Sequence, residues 1–353
     1  MGLPRLLQLP RPGARRTQRL AQKLLIHKQV SPRSHTMPAT PPTGGFRLMA
    51  APLQGYTEAP FRHFHAEIYG GGESLTYFSP FLRIEKGSVR PRDLRDITSP
   101  LNANHRLIPQ IIFRDATEFR TLTSAVRSAG HSHLDLNLGC PFVPQVRKGR
   151  GAGLLRQPDL LREIAGIMTA DFPDITFSVK MRLGITDPDE WQSLMSAISL
   201  MPLSHLTVHP RTASQQYSGQ LHLDSFEALA AACPHPLVFN GEITTPQQID
   251  HLRQLYPTLS GIMLGRGLLR RPSLIAEWNS GSEWTLAEIR SHLLRLHEAI
   301  LDHYTRTLSG DTQILSKIKP LWDYFADSFD RKTIKKLLKS PTLPLYRQNL
   351  PPA

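Results

Sequence analysis

The chain has 353 residues, of which 40% are hydrophobic and 20% are charged, and its formal net charge is +13. No apolar run approaches the roughly 18 residues that a membrane-spanning helix needs, so we expect no membrane association. Two cysteines, Cys140 and Cys233, are too few for the disulfide framework of a small secreted domain, so we expect free thiols and a cytoplasmic location.

The positive charge is concentrated at the start of the chain. Residues 1–45 contain eight basic residues and no acidic residue, whereas the rest of the chain has 34 basic and 29 acidic residues. This composition predicts a basic, disordered N-terminal extension. A targeting peptide, an RNA-binding arm and sequence upstream of the true start are the alternatives, with Met37 and Met49 as later candidate starts.

From residue 46 onward, eight short apolar runs of strand type alternate with amphipathic stretches of helical type. The runs are FRLMAAP (46–52), LTYFSP (75–80), LIPQIIF (107–113), LDLNLGC (134–140), TFSVKMRLG (176–184), LSHLTVHPR (203–211), LVFNGEI (237–243) and GIMLGRGLL (261–269). Such alternation predicts parallel strands joined by helical crossovers. Eight units within residues 46–280 predict an α/β fold of the (β/α)₈ TIM-barrel type, with a doubly wound sheet as the alternative.

The last part of the chain has helical patterns alone. Segments 283–308, 312–329 and 331–340 predict a small helical domain with a basic end over residues 281–342. We expect residues 343–353 to form a tail.

Polar side chains gather on or after the predicted strands, at the end where the active sites of such barrels lie. A doubly wound sheet would spread some of them along an edge. They are Gln110, Asn137, Cys140, Lys180, Arg182, His209, Arg211, Asn240, Glu242 and Arg266.

Three features of this set indicate a cofactor. Lys180 lies in an apolar strand and needs an anionic or electron-rich partner, which is either a barrel carboxylate or a bound ligand. Asn240-Gly241-Glu242 and Gly265-Arg266 end the seventh and eighth runs, where barrels frequently bind phosphate. Flavin mononucleotide (FMN) suits this combination, and a phosphosugar isomerase or aldolase is the alternative. Because CxxC and HExxH are absent, we expect no metal site.

These motifs resemble the tRNA-dihydrouridine synthase family over roughly residues 47–278. The family's A-P-M-x-G motif appears here as Ala51-Pro52-Leu53-Gln54-Gly55, with leucine in place of the usual methionine. LDLNLGCP, KGRGAGLL, SVKMRLG, LTVHPRTASQQYSG, VFNGEI and IMLGRGLLRRP follow in the family's order. Pro210 stands where glycine often follows the histidine. GDTQILSKIKPLWDYF is most similar to the branch that modifies uridine 16 of the D-loop.

The resemblance implies an FMN-dependent enzyme that reduces the C5=C6 bond of a uridine in the tRNA D-loop to 5,6-dihydrouridine. NADPH or NADH would reduce the flavin, flavin N5 would supply the hydride, and Cys140 would be the catalytic acid. The implied cofactor contacts are Pro52, Leu53, Gln54, Gln110, Lys180, His209, Asn240, Gly241, Glu242, Gly265 and Arg266.

A tRNA substrate also needs a basic surface. The candidate substrate contacts are Asn137, Arg147, Lys148, Arg150, Arg182 and Arg211 near the active site, and Lys317, Lys319, Arg331 and Lys335 in the helical domain. The i, i+4 spacing of Arg331, Lys335 and Lys339 predicts a basic stripe on one helix face. A merely solvated basic loop is the alternative for residues 147–150, and we expect a monomer.

Two other functions remain open on the sequence. One is a small-molecule FMN oxidoreductase of the dihydroorotate or dihydropyrimidine dehydrogenase type, against which the basic helical domain argues, because a free pyrimidine needs no such surface. The other is an RNA-binding protein without catalysis, which the presence of both Cys140 and Lys180 disfavours.

Overall fold

A computed structural model of the protein describes residues 45–352, so the predicted N-terminal extension lies almost entirely outside the described residues. Eight strands form the central sheet. They are β1 (Arg47–Ala50), β2 (Leu75–Phe78), β3 (Arg106–Ile108, continued after Pro109 by Gln110–Ile111), β4 (His133–Leu138), β5 (Thr176–Gly184), β6 (Leu203–Thr212), β7 (Leu237–Phe239) and β8 (Gly261–Leu264).

The sheet closes on itself through β3. Its first half pairs with β2, where Thr76 lies opposite Arg106, and its second half pairs with β4, where Gln110 lies opposite Asp135. Pro109 divides the two halves because proline has no N–H to donate. Since β1 pairs with both β2 and β8 and the strand pairs around the ring are parallel, the barrel prediction is confirmed and the doubly wound sheet is wrong.

Helices follow the strands and surround the barrel. They are α1 (Ala59–Tyr69), α2 (Gly71–Ser74), α3 (Pro91–Ile97), α4 (Ala116–Ser128), α5 (Val143–Val146), α6 (Pro158–Asp171), α7 (Gln192–Leu200), α8 (Leu223–Ala232), α9 (Pro246–Leu255), α10 (Arg266–Arg270) and α11 (Leu274–Ser280). A two-stranded hairpin, Ile84–Glu85 with Ser88–Val89, was not predicted.

Several predicted boundaries were wrong for local reasons. The eighth apolar run ends as a strand at Leu264, and its last residues form α10. There, a Cβ atom on Gly267 would lie 1.8 Å from the Ile243 carbonyl oxygen, so only glycine fits this close approach. The amphipathic stretch DPDEWQSLMSAISL (187–200) is helical only from Gln192, where α7 begins, because the Glu190 carboxylate accepts hydrogen bonds from the Ile185 and Asp187 N–H groups and fixes a loop.

The C-terminal helices pack together beside the barrel. They are α12 (Leu286–Thr307), α13 (Asp311–Ile318), α14 (Trp322–Phe325), α15 (Arg331–Lys339) and α16 (Leu343–Gln348). The predicted helix over 312–329 is interrupted by a 3₁₀ turn at Lys319–Leu321, which contains Pro320. The hydrophobic core of these C-terminal helices also includes Phe61, Tyr69 and Leu269, which belong to helices of the barrel.

The prediction that residues 343–353 form a tail is wrong for the start of that segment. Tyr346 is fully buried, and its hydroxyl lies 2.6 Å from Trp322 Nε1 and 2.7 Å from His297 Nε2. Leu343 N–H donates to the Asp311 carboxylate at 2.8 Å. Helix α16 is therefore a part of the helical domain, because it completes the apolar core around Trp322.

Candidate active site

The end of β4 is tied to the barrel interior by a chain of side-chain hydrogen bonds. Asn137 Oδ1 accepts from the Cys140 N–H at 2.8 Å and from the Gly139 N–H at 3.1 Å. Asn137 Nδ2 donates to Gln110 Oε1 at 2.7 Å, and Gln110 Nε2 donates to Asp135 Oδ2 at 2.6 Å. Ser178 donates to the other Asp135 oxygen at 2.6 Å. Neighbouring strands therefore fix the loop that carries Cys140.

Cys140 is half-buried and free of any disulfide. Burial raises the pKa of its thiol, although Arg182 and Lys180 act in the opposite direction. Gly151 packs against it with φ +58°, and a Cβ atom on Gly151 would lie 2.8 Å from Cys140 Cβ. The thiol is therefore protonated at neutral pH and held by a loop that needs glycine at residue 151.

Cys233 contrasts with Cys140. It is buried at the end of α8, and its thiol lies 3.8 Å from the His235 carbonyl oxygen. Burial raises its pKa to about 11. Cys233 is the small buried side chain expected of a cysteine without a chemical role.

Lys180 projects from the middle of β5, opposite Asn137 of β4. Burial lowers its pKa to about 8, with Arg182 adding to the shift and Asp135 opposing it. Burial raises the pKa of Asp135 to about 6, although Gln110 and Ser178 both donate hydrogen bonds to it. Within residues 45–352 the Lys180 ammonium forms no ion pair, so it is available to a ligand.

Three arginines at the ends of β5, β6 and β8 lie, together with Lys180, around His209. Arg182 donates to the carbonyl oxygens of Gly139 at 3.0 Å and Thr212 at 2.8 Å, and thus clamps the ends of β4, β5 and β6 together. Arg211 and Arg266 both bind Glu242, at 2.7 Å and 3.0 Å. Four cations against two carboxylates, Glu242 and Asp135, leave this part of the mouth with an excess of positive charge.

Tyr217 was not among the predicted site residues. Its ring lies between two guanidinium groups, 5.4 Å from Arg182 and 4.9 Å from Arg266. Such cation–π contacts hold the arginine planes in place. The signal in the sequence was an aromatic residue in the loop after the sixth strand, within the LTVHPRTASQQYSG stretch.

The remaining predicted cofactor contacts line the same mouth. Burial lowers the pKa of His209 well below its ordinary value, and the surrounding cations lower it further, so the imidazole is neutral. Asn240 Nδ2 donates to the Met263 carbonyl oxygen at 2.6 Å, and Gly241 follows it beside His209. Glu242 has the left-handed φ of +49°, a strained backbone that is typical of functional sites.

The end of β1 completes this side of the barrel. Pro52, Leu53 and Gln54 are partly exposed in the loop that follows β1, and Leu53 N–H donates to Thr57 Oγ1 at 2.9 Å. Gln54 Oε1 is buried and has no hydrogen-bond partner among the described residues. Gly265 follows β8, and a Cβ atom placed on it would lie 3.8 Å from Ala51 Cβ, so the ends of β1 and β8 are close together here.

The side chains at this mouth fit both the phosphate and the ring of a flavin mononucleotide. Excess cations attract a phosphate, neutral His209 and the Asn240 amide suit a heterocycle, and the unpartnered oxygen of Gln54 can accept a ring N–H. Gln110 is fully buried with its amide bonded on both sides, so its direct contact with a cofactor stays a prediction. No cluster of His, Cys, Asp or Glu able to hold a metal ion occurs within the described range.

In the predicted basic loop over residues 147–150, two basic side chains are exposed and one is buried. Arg147 and Lys148 are exposed after the short helix α5. Arg150 is buried, and its Nε donates to Glu118 Oε2 at 3.0 Å. The assignment of Arg150 to an exposed basic loop was therefore wrong, because its charge is neutralised inside the protein.

In the helical domain, the predicted basic residues without an internal partner lie on one helix, α15. Lys317 forms an ion pair with Glu58 of the barrel, and Lys319 Nζ donates to the Ser340 carbonyl oxygen at 2.6 Å. Both ammonium groups are engaged within the protein, and their contact with RNA stays a prediction. Arg331 and Lys335 are exposed on α15, together with Lys339, on the face opposite buried Ile334 and Leu337.

None of the helices between residues 45 and 352 is long and apolar enough to cross a membrane.

Comparisons with known proteins agree with these motifs. The family model described as "Dihydrouridine synthase (Dus)" matches residues 49–340. The chain is 28% identical to "Probable tRNA-dihydrouridine synthase" of Staphylococcus epidermidis over 267 residues, which cover 73% of this chain and 79% of that protein. It is 30% identical to "Probable tRNA-dihydrouridine synthase 2" of Bacillus subtilis (strain 168) over 273 residues, with the same coverage.

Among solved structures, a variant of NCR from Zymomonas mobilis superposes on this chain with a TM-score of 0.46 and 13% sequence identity. The superposed region covers 68% of this chain and 88% of the NCR variant. The family model spans the barrel and most of the helical domain, including Cys140, Lys180, Glu242 and Arg266. On this match, the chain belongs to the dihydrouridine synthase family.

Proposed function

We propose that the protein reduces the C5=C6 bond of a uridine in the tRNA D-loop to 5,6-dihydrouridine, with FMN as cofactor and NADPH as reductant. The observation that carries the proposal is Cys140, a protonated and half-buried thiol held at the end of β4 on the same barrel face as Lys180. Reduction of a C=C bond needs a proton donor at one carbon, and a positioned thiol meets this need.

Cys140 is proposed to donate its proton to C5 of the uracil ring. Its raised pKa keeps the thiol protonated at neutral pH, and Asn137 fixes the backbone from which the side chain projects. Cys140 and Gly151 leave little freedom for the loop, since the two residues are in contact. The proton donor is thus pre-positioned before the substrate enters.

When bound, FMN would supply the hydride for C6 from its N5 atom, after reduction by NADPH. The phosphate would lie at the ends of β7 and β8, near Gly241, Gly265 and Arg266. Lys180 would face the flavin ring, where its positive charge favours the anionic reduced form. Glu242 keeps Arg211 and Arg266 in position through two ion pairs.

Recognition of tRNA is assigned to two exposed basic regions. One is the Arg147–Lys148 loop after Cys140, and the other is the α15 face with Arg331, Lys335 and Lys339. Asn137, Arg182 and Arg211 are proposed to lie around the uracil. Uridine 16 is the proposed target, in a monomeric protein located in the cytoplasm.

The test begins with the purified protein and tRNA from cells that lack the gene. We expect a yellow protein with a flavin spectrum that forms dihydrouridine in this tRNA with NADPH, and mapping of the product identifies the modified uridine. A colourless protein that FMN cannot reconstitute would refute the flavin assignment. Turnover of a free pyrimidine in place of tRNA would establish the alternative small-molecule oxidoreductase.

Cys140→Ala tests the proton donor. Dihydrouridine formation should fall by about 10²- to 10⁴-fold, which is the usual contribution of a general acid. Reduction of the flavin by NADPH, followed by its absorbance, should be unchanged because it needs no proton at C5. Cys233→Ala is the matched control and should leave the rate unchanged, since Cys233 is buried between the end of α8 and the start of β7, whereas Cys140 follows the end of β4.

A further inference from the structure

A second basic site lies outside the proposed flavin site, at the ends of β2, β3 and β4. An open cavity of about 440 Å³ is lined by the hairpin over residues 84–89, the loop after β3 and the loop after α5. This volume is within the roughly 300–1,000 Å³ range of small-molecule sites. Its lining residues are Arg83, Ile84, Glu85, Lys86, Gly87, Arg114, Glu118, Gln145, Lys148 and Arg150.

The charge of the lining favours an anion. Five lining residues are basic and two are acidic. Both carboxylates are already paired, since Glu118 binds Arg114 at 3.2 Å and Arg150, while Glu85 lies 3.2 Å from Arg90. Lys86 and Lys148 therefore keep their charge without an ion-pair partner in the described part of the chain.

The geometry of the hairpin holds one of these lysines at the cavity. Lys86 and Gly87 form the two-residue turn, with φ values of +52° and +81°. A turn with both central residues at positive φ is rigid and matches the twist of the strands, but it normally has asparagine, aspartate or glycine at the first of them. A lysine there is strained by about 1 kcal/mol or more.

A buried polar group in the lining of the cavity points to the same conclusion. Gln145 is only 8% exposed, and its Oε1 has no hydrogen-bond partner among residues 45–352. A buried amide without a partner is costly unless a ligand or water satisfies it. Its Oε1 can accept a sugar hydroxyl, while the two lysines bind a phosphate.

The cavity shares a wall with the candidate active site. Arg150 lines the cavity, and the next residue, Gly151, packs against Cys140. Ala152 N–H also donates to the Cys140 carbonyl oxygen at 3.1 Å. The cavity therefore lies next to the loop that carries Cys140, within reach of a ligand that extends beyond the active site.

We propose that this cavity binds a phosphate group, with its sugar, of the nucleotide ligand that occupies the neighbouring active site. The phosphate belongs either to the RNA backbone next to the target uridine or to the reducing dinucleotide. This inference rests on the proposed function for the identity of the ligand, but its evidence lies in residues that the sequence did not single out, apart from Lys148 and Arg150.

The test compares the dissociation constants of wild type, Lys86→Asn, Lys148→Gln and the double variant for tRNA and for NADPH. Asparagine is chosen for residue 86 because it tolerates positive φ. We expect the double variant to bind one of the two ligands about tenfold more weakly, at roughly threefold per lysine, as for exposed charge pairs. Weaker tRNA binding identifies the RNA backbone, and weaker NADPH binding identifies the dinucleotide.

Arg120→Gln is the control, since Arg120 is an exposed cation on α4 that does not line the cavity, and it pairs with Asp171 at 2.8 Å. The inference is overturned if both dissociation constants of the double variant stay within twofold of wild type, or if wild type binds neither ligand. Absence of dihydrouridine with wild-type protein that does bind tRNA would instead refute the proposed function, so the two failures are distinguishable.

Discussion

At the residue scale, the hydrogen bonds of Asn137 indicate a role other than the predicted contact with the substrate. It was predicted to contact the substrate, yet its oxygen accepts two backbone N–H groups and its nitrogen donates to Gln110. All of these bonds hold the Cys140 loop. We therefore infer that Asn137 acts mainly by positioning the thiol.

Asn137→Ala separates these two roles. If Asn137 positions Cys140, kcat with tRNA should fall by about 10- to 100-fold, because a displacement near 1 Å is enough for such a loss. KM for tRNA and the rate of flavin reduction should stay the same. Steady-state kinetics measure this, and a raised KM with unchanged kcat would return Asn137 to the substrate contacts.

The charge of Lys180 should make flavin binding depend on pH. Its pKa is lowered to about 8 by burial, so the ammonium loses its proton as pH rises through 8. An anionic ligand that prefers the charged form should bind up to about tenfold more weakly at pH 9 than at pH 7, since one pH unit above the pKa leaves about a tenth of the lysine protonated.

Titration of the apoprotein with FMN, followed by flavin fluorescence, measures this dependence. Lys180→Arg should remove it, because arginine stays charged at pH 9. An equal loss of affinity in wild type and Lys180→Arg between pH 7 and pH 9 would contradict the role of Lys180.

At the element scale, the starts of the strands were predicted more accurately than their ends. The run TFSVKMRLG matches β5 at both ends, because its apolar residues continue until Gly184. The eighth run was predicted as strand through residue 269, but the tight approach of Gly267 to Ile243 turns the chain into α10. Local apolar pattern marks where a strand begins, whereas contact with a distant loop decides where it ends.

Helix α16 provides a test of an element that the sequence pattern did not predict. Tyr346→Ala should destabilise the protein by about 3–5 kcal/mol, because it leaves a cavity and removes the partner of Trp322 and His297. Thermal unfolding measures the effect. Leu345→Ala is the control, since Leu345 is 39% exposed and its change should be small. Equal stability of the two variants would mean that α16 is not packed.

At the scale of the whole molecule, positive charge on two separate elements is proposed to orient the tRNA. The triple variant Arg331→Gln, Lys335→Gln and Lys339→Gln removes the exposed face of α15. It should weaken tRNA binding and lower the slope of log K against log salt by about 1 for each lost phosphate contact. Flavin reduction by NADPH should be unchanged.

Binding isotherms at several salt concentrations measure this slope. The matched control replaces Arg120, Arg127 and Arg162 by glutamine, since these arginines are similarly exposed on the outer helices of the barrel. If both triple variants lower the slope equally, the effect is one of net charge, and α15 is not a specific tRNA-binding face.

The sequence by itself determined the barrel, the positions of its strands and the family, because alternating apolar runs and short motifs are local properties of the chain. It also brought Cys140, Lys180, His209 and Arg266 to one face, since parallel strands of a barrel share a C-terminal end.

Only the tertiary structure decided which charges are free. Arg150 pairs with Glu118, which is 32 residues away, and Lys317 pairs with Glu58, which is 259 residues away. In the sequence these two residues resemble exposed Lys148 and Lys335. A local pattern specifies the type of a side chain, whereas its partner is chosen by the fold, and the partner determines whether a charge holds the protein together or remains available to a phosphate.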